Sequence, residues 1–188
     1  MMNQNFAKLT FNDSVKKVQE QFGSRKHYSR VENSADRFVL TVDEKDFIST
    51  RDSFYISSVG ENGWPYMQHR GGPKGFLKVI NETTLAMADF KGNAQYISTG
   101  NLKANNKAML FLMDYPSQSR LKIWAQTQVV EIKDDPELFN NLVDEEYGAK
   151  IERLMLFHIK AYDWNCNQHI TQRFSKEEFE MLMIKQSL

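Results

Sequence analysis

The sequence predicts a mainly β protein with flanking helices, its antiparallel strands closing into a barrel or sandwich. Three observations carry this. About seven strand-like runs are present, most follow one another through short turns, and the helical patterns are confined to the chain ends and two connections. No GxGxxG, GxxxxGK or GxSxG occurs, so neither a dinucleotide fold, nor a P-loop, nor a hydrolase elbow is indicated. The 188 residues fit a single domain, 1–188, with a helical amino-terminal extension over about 1–52 and a tail and helix over about 163–188.

Residues 12–22 repeat Val15, Val18 and Phe22 at helical spacing behind Thr10, Asn12 and Asp13 as caps, and Gly23 stops the run. Residues 24–30 gather Arg25, Lys26, His27 and Arg30 around Tyr28 without a clear period. They read as solvated surface rather than as a phosphate or RNA patch. Residues 43–50 form a short helix with Asp43 as its cap. Strand 54–59, the tight connection Gly60-Glu61-Asn62-Gly63 and strand 64–70 then make a β-hairpin. At its far end Gln68, His69 and Arg70 run into Gly71-Gly72-Pro73. A half-buried strand alternates apolar with polar residues, so this run has two readings: something polar approaches the backbone, or an edge strand leaves the sheet at a turn.

Strands 75–80 and 84–89, turning at Asn81-Glu82-Thr83, extend the hairpin as a meander. Residues 94–102 read as a helix ended by Gly100 and Asn101. Lys91-Gly92-Asn93 just before it sets a cation beside the free amide groups of a helix start, an arrangement suited to phosphate. Runs 107–114 and 121–132 are core strands joined by a loop with Tyr115, Pro116 and Arg120. In the second, Lys122, Trp124, Gln126 and Gln128 share one face, and Leu121, Ile123, Ala125, Thr127 and Val129 the other. Asp135-Pro136 opens a helix through residue 146. In strand 153–162, Leu154, Leu156, His158 and Lys160 alternate with Met155, Phe157, Ile159 and Ala161, which makes His158 an ordinary sheet histidine. Ser175 and Glu178 form the capping box of a last helix over 176–185.

Lysine plus arginine and aspartate plus glutamate both total 24, so no global field draws the chain to nucleic acid or to an anionic membrane. The start MMNQNFAKLT lacks the apolar run of a signal peptide, and no segment approaches the roughly 20 apolar residues of a membrane span. The expectation is a cytoplasmic protein. Cys166 is the sole cysteine, which excludes an intramolecular disulfide or a multi-cysteine metal site and reads as a semi-buried thiol without a role.

Between Phe54 and Glu131 the blocks ENGWPYMQHRGGPKGFL, ADFKGNAQYIS, LFLMDY and RLKIWAQTQVVE resemble the pyridoxamine 5'-phosphate oxidase-like, FMN-binding split-barrel family. The later run WNCNQHITQRF resembles the closing segment of a related subgroup of flavoproteins. The resemblance implies a six-stranded antiparallel split β-barrel with peripheral helices, forming a homodimer with one FMN in each of two clefts between subunits. By that resemblance Gln68, His69 and Arg70 lie along the flavin ring with Ala88 and Asp89 beside them. Lys91, Gly92 and Asn93 take the phosphate, Arg120 and Lys122 add phosphate or ring contacts, and Gln168 with Arg173 from the partner close the site.

The resemblance further implies an oxidoreductase moving a hydride between flavin and a small molecule. Two alternatives stand beside it: a non-catalytic flavin- or haem-binding module serving carriage, sensing or haem breakdown, and a structural barrel without cofactor. Gly92 and Asn93 replace the arginine-lysine pair of the oxidase, and near the carboxyl terminus only His169 and Arg173 remain for a pyridoxamine phosphate substrate. Vitamin B6 oxidation is therefore not the expected activity. No general acid or base is assigned; His69 is the nearest candidate, its other role being a hydrogen bond to the ring or to the partner.

Overall fold

The computed structural model describes residues 4–164 and 167–186, so Cys166 lies outside the described residues. Its strands are β1 (Ser53–Val59), β2 (Pro65–Gly71), β3 (Lys78–Asn81), β4 (Thr84–Phe90), β5 (Lys107–Asp114), β6 (Ser119–Val130) and β7 (Ile151–Trp164). Its helices are α1 (Phe6–Thr10), α2 (Asp13–Gln21), α3 (Arg25–Glu32), α4 (Val42–Ser49), α5 (Ile97–Ala104), α6 (Pro136–Leu142) and α7 (Lys176–Gln186). The described residues form one seven-stranded antiparallel sheet, matching the count of strand-like runs and one strand more than the resemblance implies, in the order β2-β1-β5-β6-β7-β4-β3.

That order overturns the expected meander. The hairpins β1–β2 and β3–β4 end at opposite margins of the sheet, with β5, β6 and β7 between them. The reason lies in β4, where Thr84 to Asp89 are all buried. A strand covered on both faces belongs inside a sheet, and β4 lies between β3 and β7 with Ala86 and Ala88 packed beneath Leu138 and Leu142 of α6.

Alternation places Phe54, Ile56, Leu85, Met87, Leu110, Leu112, Leu121, Ile123, Met155, Phe157 and Ile159 in one buried cluster. β1 and β7 are three strands apart, about 14 Å in a flat sheet, yet the Phe54 and Phe157 rings meet at 6.3 Å. The sheet therefore curls around its own core. The double glycine also answers to this core: a Cβ on Gly72 would stand 2.8 Å from the Phe76 ring, which stacks on Phe54 at 5.7 Å. Gly75, at φ +74°, would set a Cβ 2.8 Å from the Ser49 carbonyl oxygen. Of the two readings of this run, the turn accounts for the glycines.

Outside the sheet, boundaries moved for local reasons. The basic segment forms α3, held to α2 by Arg25 donating to Gln19 at 2.7 Å and by Glu32 receiving Arg25 and Lys16. No residue of α3 is buried, so apolar periodicity could not reveal it. Asn5 fastens α1 to its end: its side-chain amide donates to the Val31, Glu32 and Ser34 carbonyls, and its oxygen accepts from the Lys8 amide. Helix α4 is capped at Thr41 rather than Asp43, the Glu44 carboxylate accepting from the Thr41 amide and hydroxyl at 2.9 and 2.6 Å. Helix α6 stops at Leu142, with Asp135 capping Leu138. Ser175 and Glu178 cap α7 reciprocally. Among the described residues no helix is long and apolar enough to cross a membrane.

Candidate functional site

Strand β2 is a margin of the sheet, and its two faces lead to two different hollows. Gln68 and Arg70 point with Phe54 and Ile56 of β1 toward the inside of the curl; Met67 and His69 point outward with Ser57 and Tyr55. The three successive polar residues are therefore split. His69 packs edge-on against Tyr55 at 5.6 Å on the far side from its neighbours.

The inner hollow has a volume of about 40 Å³ and is lined by Gln68, Arg70, Asp89, Phe90, residues 92–99, Glu152 and Arg153. That is space for about three waters or one phosphate-sized group. Its floor is a charge cluster around Asp89, which is 2% exposed. One carboxylate oxygen receives Arg70 Nη1 at 2.8 Å, the other Arg153 Nη1 at 2.7 Å. β2 and β4 are five strands apart, so the Arg70–Asp89 pair ties one margin of the curled sheet to the strand next to the other. Arg153 also donates to Glu152 at 3.0 Å and lies under the Tyr96 ring at 5.0 Å, while the Tyr96 hydroxyl reaches Glu152 at 3.1 Å. Burial works against its charge, but hydrogen bonding and attraction to Asp89 prevail and raise its pKa further.

One donor is left over. Arg70 Nε is buried without a partner, a state that costs about 1–3 kcal/mol. Ser98 donates to the Gln68 side-chain oxygen at 3.0 Å. Helix α5 begins at Ile97, not at residue 94, because Ala94 and Tyr96 take left-handed φ of 60° and 53°. Gly100 and Asn101, expected as its end, lie inside it. Ile97, Ser98 and Thr99, whose first-turn amides a helix leaves unpaired, therefore line this hollow.

The outer hollow, about 460 Å³, sits on the opposite sheet face. It is lined by Tyr55, Met67, Phe111, Met113, Tyr115, Arg120 and, from the tail, His169, Ile170, Thr171 and Arg173. Gln118 donates to the Ile170 carbonyl and Gln172 to that of Pro116 at 2.8 Å, strapping the tail to the β5–β6 turn. The Arg173 guanidinium lies 5.2 Å over Tyr115 of the same chain.

The expected site residues thus divide. Gln68, Arg70, Asp89, Gly92 and Asn93 share the inner hollow, whereas Arg120 and Arg173 share the outer one. Ala88 packs in the second core cluster. Lys122 pairs with Asp163 at 3.1 Å and lies over the Trp124 and Phe6 rings at 5.4 and 5.6 Å. Lys91 and Gln168 are exposed. Arg153, Glu152, Ser98 and Thr99 were missed. Arg153 had left a signal, since it occupies the same strand face as Met155, Phe157 and Ile159, where an apolar residue belongs.

The family described as pyridoxamine 5'-phosphate oxidase matches residues 40–170. The chain belongs to the pyridoxamine 5'-phosphate oxidase family. Every residue of the inner hollow lies within the matched stretch. A search of curated proteins finds no match. Among solved structures, HupZ of Group A Streptococcus is 12% identical with a TM-score of 0.54, covering 72% of this chain and 99% of its own. A candidate pyridoxamine 5'-phosphate oxidase from Lactobacillus delbrueckii is 18% identical with a TM-score of 0.52, covering 66% and 93%. An FMN-binding protein from Syntrophomonas wolfei is 14% identical with a TM-score of 0.50, covering 81% and 97%. At these identities the likeness is one of fold. The curled seven-stranded sheet of this family member is the split barrel.

Proposed function

We propose that this protein is an FMN-dependent oxidoreductase that acts as a homodimer on a small organic molecule. The observation that supports it is the inner hollow: inside the family stretch, Arg70, whose buried Nε–H has no partner, lines it together with the first-turn residues of α5. Arg70 and Arg153 are balanced by Asp89 and Glu152. An anion is therefore favoured here by N–H and O–H donors more than by net charge, and the donor set fits a phosphate ester. Arg70, Ser98, Thr99, Gly92 and Asn93 would hold the FMN phosphate, with exposed Lys91 adding charge at the rim. Asp89 and Arg153 keep Arg70 in place. Gln68 has its oxygen occupied by Ser98, which leaves its amide N–H groups for a polar edge of the cofactor.

Bound FMN supplies hydride transfer. The chain's part is to bind it, orient it and limit water around it. Ala88 and Lys122 are engaged elsewhere in the chain and fall outside the proposed set. The dimer would cover Trp64 and Met67, 74% and 64% exposed on the β1–β2 hairpin. Light scattering checks it, a dimer giving twice the chain mass of 22.0 kDa.

A visible spectrum after gentle purification, with identification of the released chromophore, tests the cofactor. A yellow protein releasing FMN is expected. A colourless protein that takes up no FMN refutes the reading, and a Soret band favours the haem module.

A further inference from the structure

The turn that opens α5 is held in an unfavourable shape. Ala94 and Tyr96 both take left-handed φ, 60° and 53°, and neither is a glycine. A Cβ makes that region costly, so such a turn persists where neighbouring contacts enforce it. Ala94 has only a methyl group to offer, and the Asn93 side chain turns back to the Gln95 amide at 3.2 Å, within the loop itself. Tyr96, the residue before the helix, reaches the sheet. Its ring lies 5.0 Å from the Arg153 guanidinium, and its hydroxyl donates to Glu152 at 3.1 Å. Both partners are fixed on β7, Arg153 donating to Asp89 at 2.7 Å and to Glu152 at 3.0 Å. The Tyr96 carbonyl accepts the Gly100 amide at 2.8 Å, which ties the same residue to the first turn of α5. Its side chain fills no core position, since Tyr96 is 47% exposed.

We infer that Tyr96 is a positioning residue of the inner hollow: clamped onto Arg153 and Glu152, it holds the left-handed turn that brings Ile97, Ser98 and Thr99 to the hollow, and so sets the preference for a phosphate-bearing ligand. This rests on the reading of the hollow as the phosphate end of an FMN site. A flavin without a phosphate makes no use of the first turn of α5. Tyr96 therefore governs selectivity for the phosphate rather than flavin binding at large.

Titration of the flavin-free protein with FMN, riboflavin and inorganic phosphate, in the parent and three variants, tests this. Tyr96→Ala removes the clamp and keeps the costly φ. The advantage of FMN over riboflavin and the phosphate affinity are each expected to fall about tenfold or more, with riboflavin affinity and melting temperature near those of the parent. Tyr96→Phe keeps the ring over Arg153 and should lose about fivefold at most, the value of one hydrogen bond. Tyr96→Gly removes the clamp but accepts a left-handed φ without strain, and should fall between the two. An unchanged FMN advantage in Tyr96→Ala, or a loss shared equally by both flavins, overturns the inference and leaves the FMN reading standing. Phosphate binding by a parent that takes up neither flavin, weakened in Tyr96→Ala, supports the positioning role and removes only the FMN reading. A parent that binds FMN no tighter than riboflavin and takes up no phosphate overturns both.

Discussion

The hollows on the two faces of β2 hold their arginines in opposite ways. Inside the curl, Arg70 and Arg153 share the two oxygens of buried Asp89, with Glu152 as a fourth charge, and the group joins β2, β4 and β7. Outside it, Arg120 and Arg173 line an apolar wall and form no ion pair among the described residues. A buried charge that finds its opposite within the chain contributes to architecture; one left unmatched incurs desolvation for something outside the chain. The inner hollow combines both, since Arg70 is paired through Nη1 and open at Nε.

The largest effect should come from breaking the matched side. Asp89→Asn leaves two mostly buried arginines short of a carboxylate and is expected to cost about 3–5 kcal/mol in urea unfolding. A cost below about 1 kcal/mol would show that the cluster does not hold the margins together.

Glu44 sharpens the contrast, being a buried carboxylate satisfied by neutral donors: the Thr41 amide and hydroxyl, and Trp164 Nε1 at 2.6 Å. Burial pushes its pKa up, but these hydrogen bonds outweigh burial and hold it below the usual carboxylate range. A depressed folded-state pKa gives stability that is present above the unfolded value and lost as pH falls through the folded one. Glu44→Gln should therefore cost about 2 kcal/mol at neutral pH and flatten the acid limb of the melting-temperature profile. An unchanged acid limb would contradict this.

Thr99→Val removes one hydroxyl from the inner hollow. FMN retention is expected to weaken about fivefold, the value of one hydrogen bond near 1 kcal/mol, with stability nearly unchanged. The smallest effect on folding belongs to the unmatched side: Arg120→Gln should leave the unfolding free energy within about 0.5 kcal/mol of the parent, or raise it. A loss as large as that of Asp89→Asn would erase the distinction between the two hollows.

Much of the barrel was legible because strands announce their faces. The alternation of β6 and β7 sorted Leu121, Ile123 and Ala125 from Lys122 and Trp124, and Met155 and Phe157 from Leu156 and His158, as the burial pattern has them. Strand partnership was not legible. Pairing β4 with β7 joins residues far apart in sequence, and its sign was a two-sided burial that a short apolar run does not display. Helix α3 escaped because polar contacts, not an apolar stripe, hold it. At the site, Gln68, Arg70 and Asp89 were singled out together, while His69 between them faces outward, since neighbours on a strand point to opposite sides. Ser98 and Thr99 became site residues only through the left-handed turns at Ala94 and Tyr96, which delay α5 until its first turn reaches the hollow.

The most direct test of the central claim, that the inner hollow is the phosphate end of an FMN site, is a titration of the flavin-free protein with FMN and with riboflavin, which lacks the phosphate. FMN should bind at least about tenfold tighter, with the advantage reduced in Thr99→Val. Equal affinity for the two flavins, or no binding of either, would contradict it.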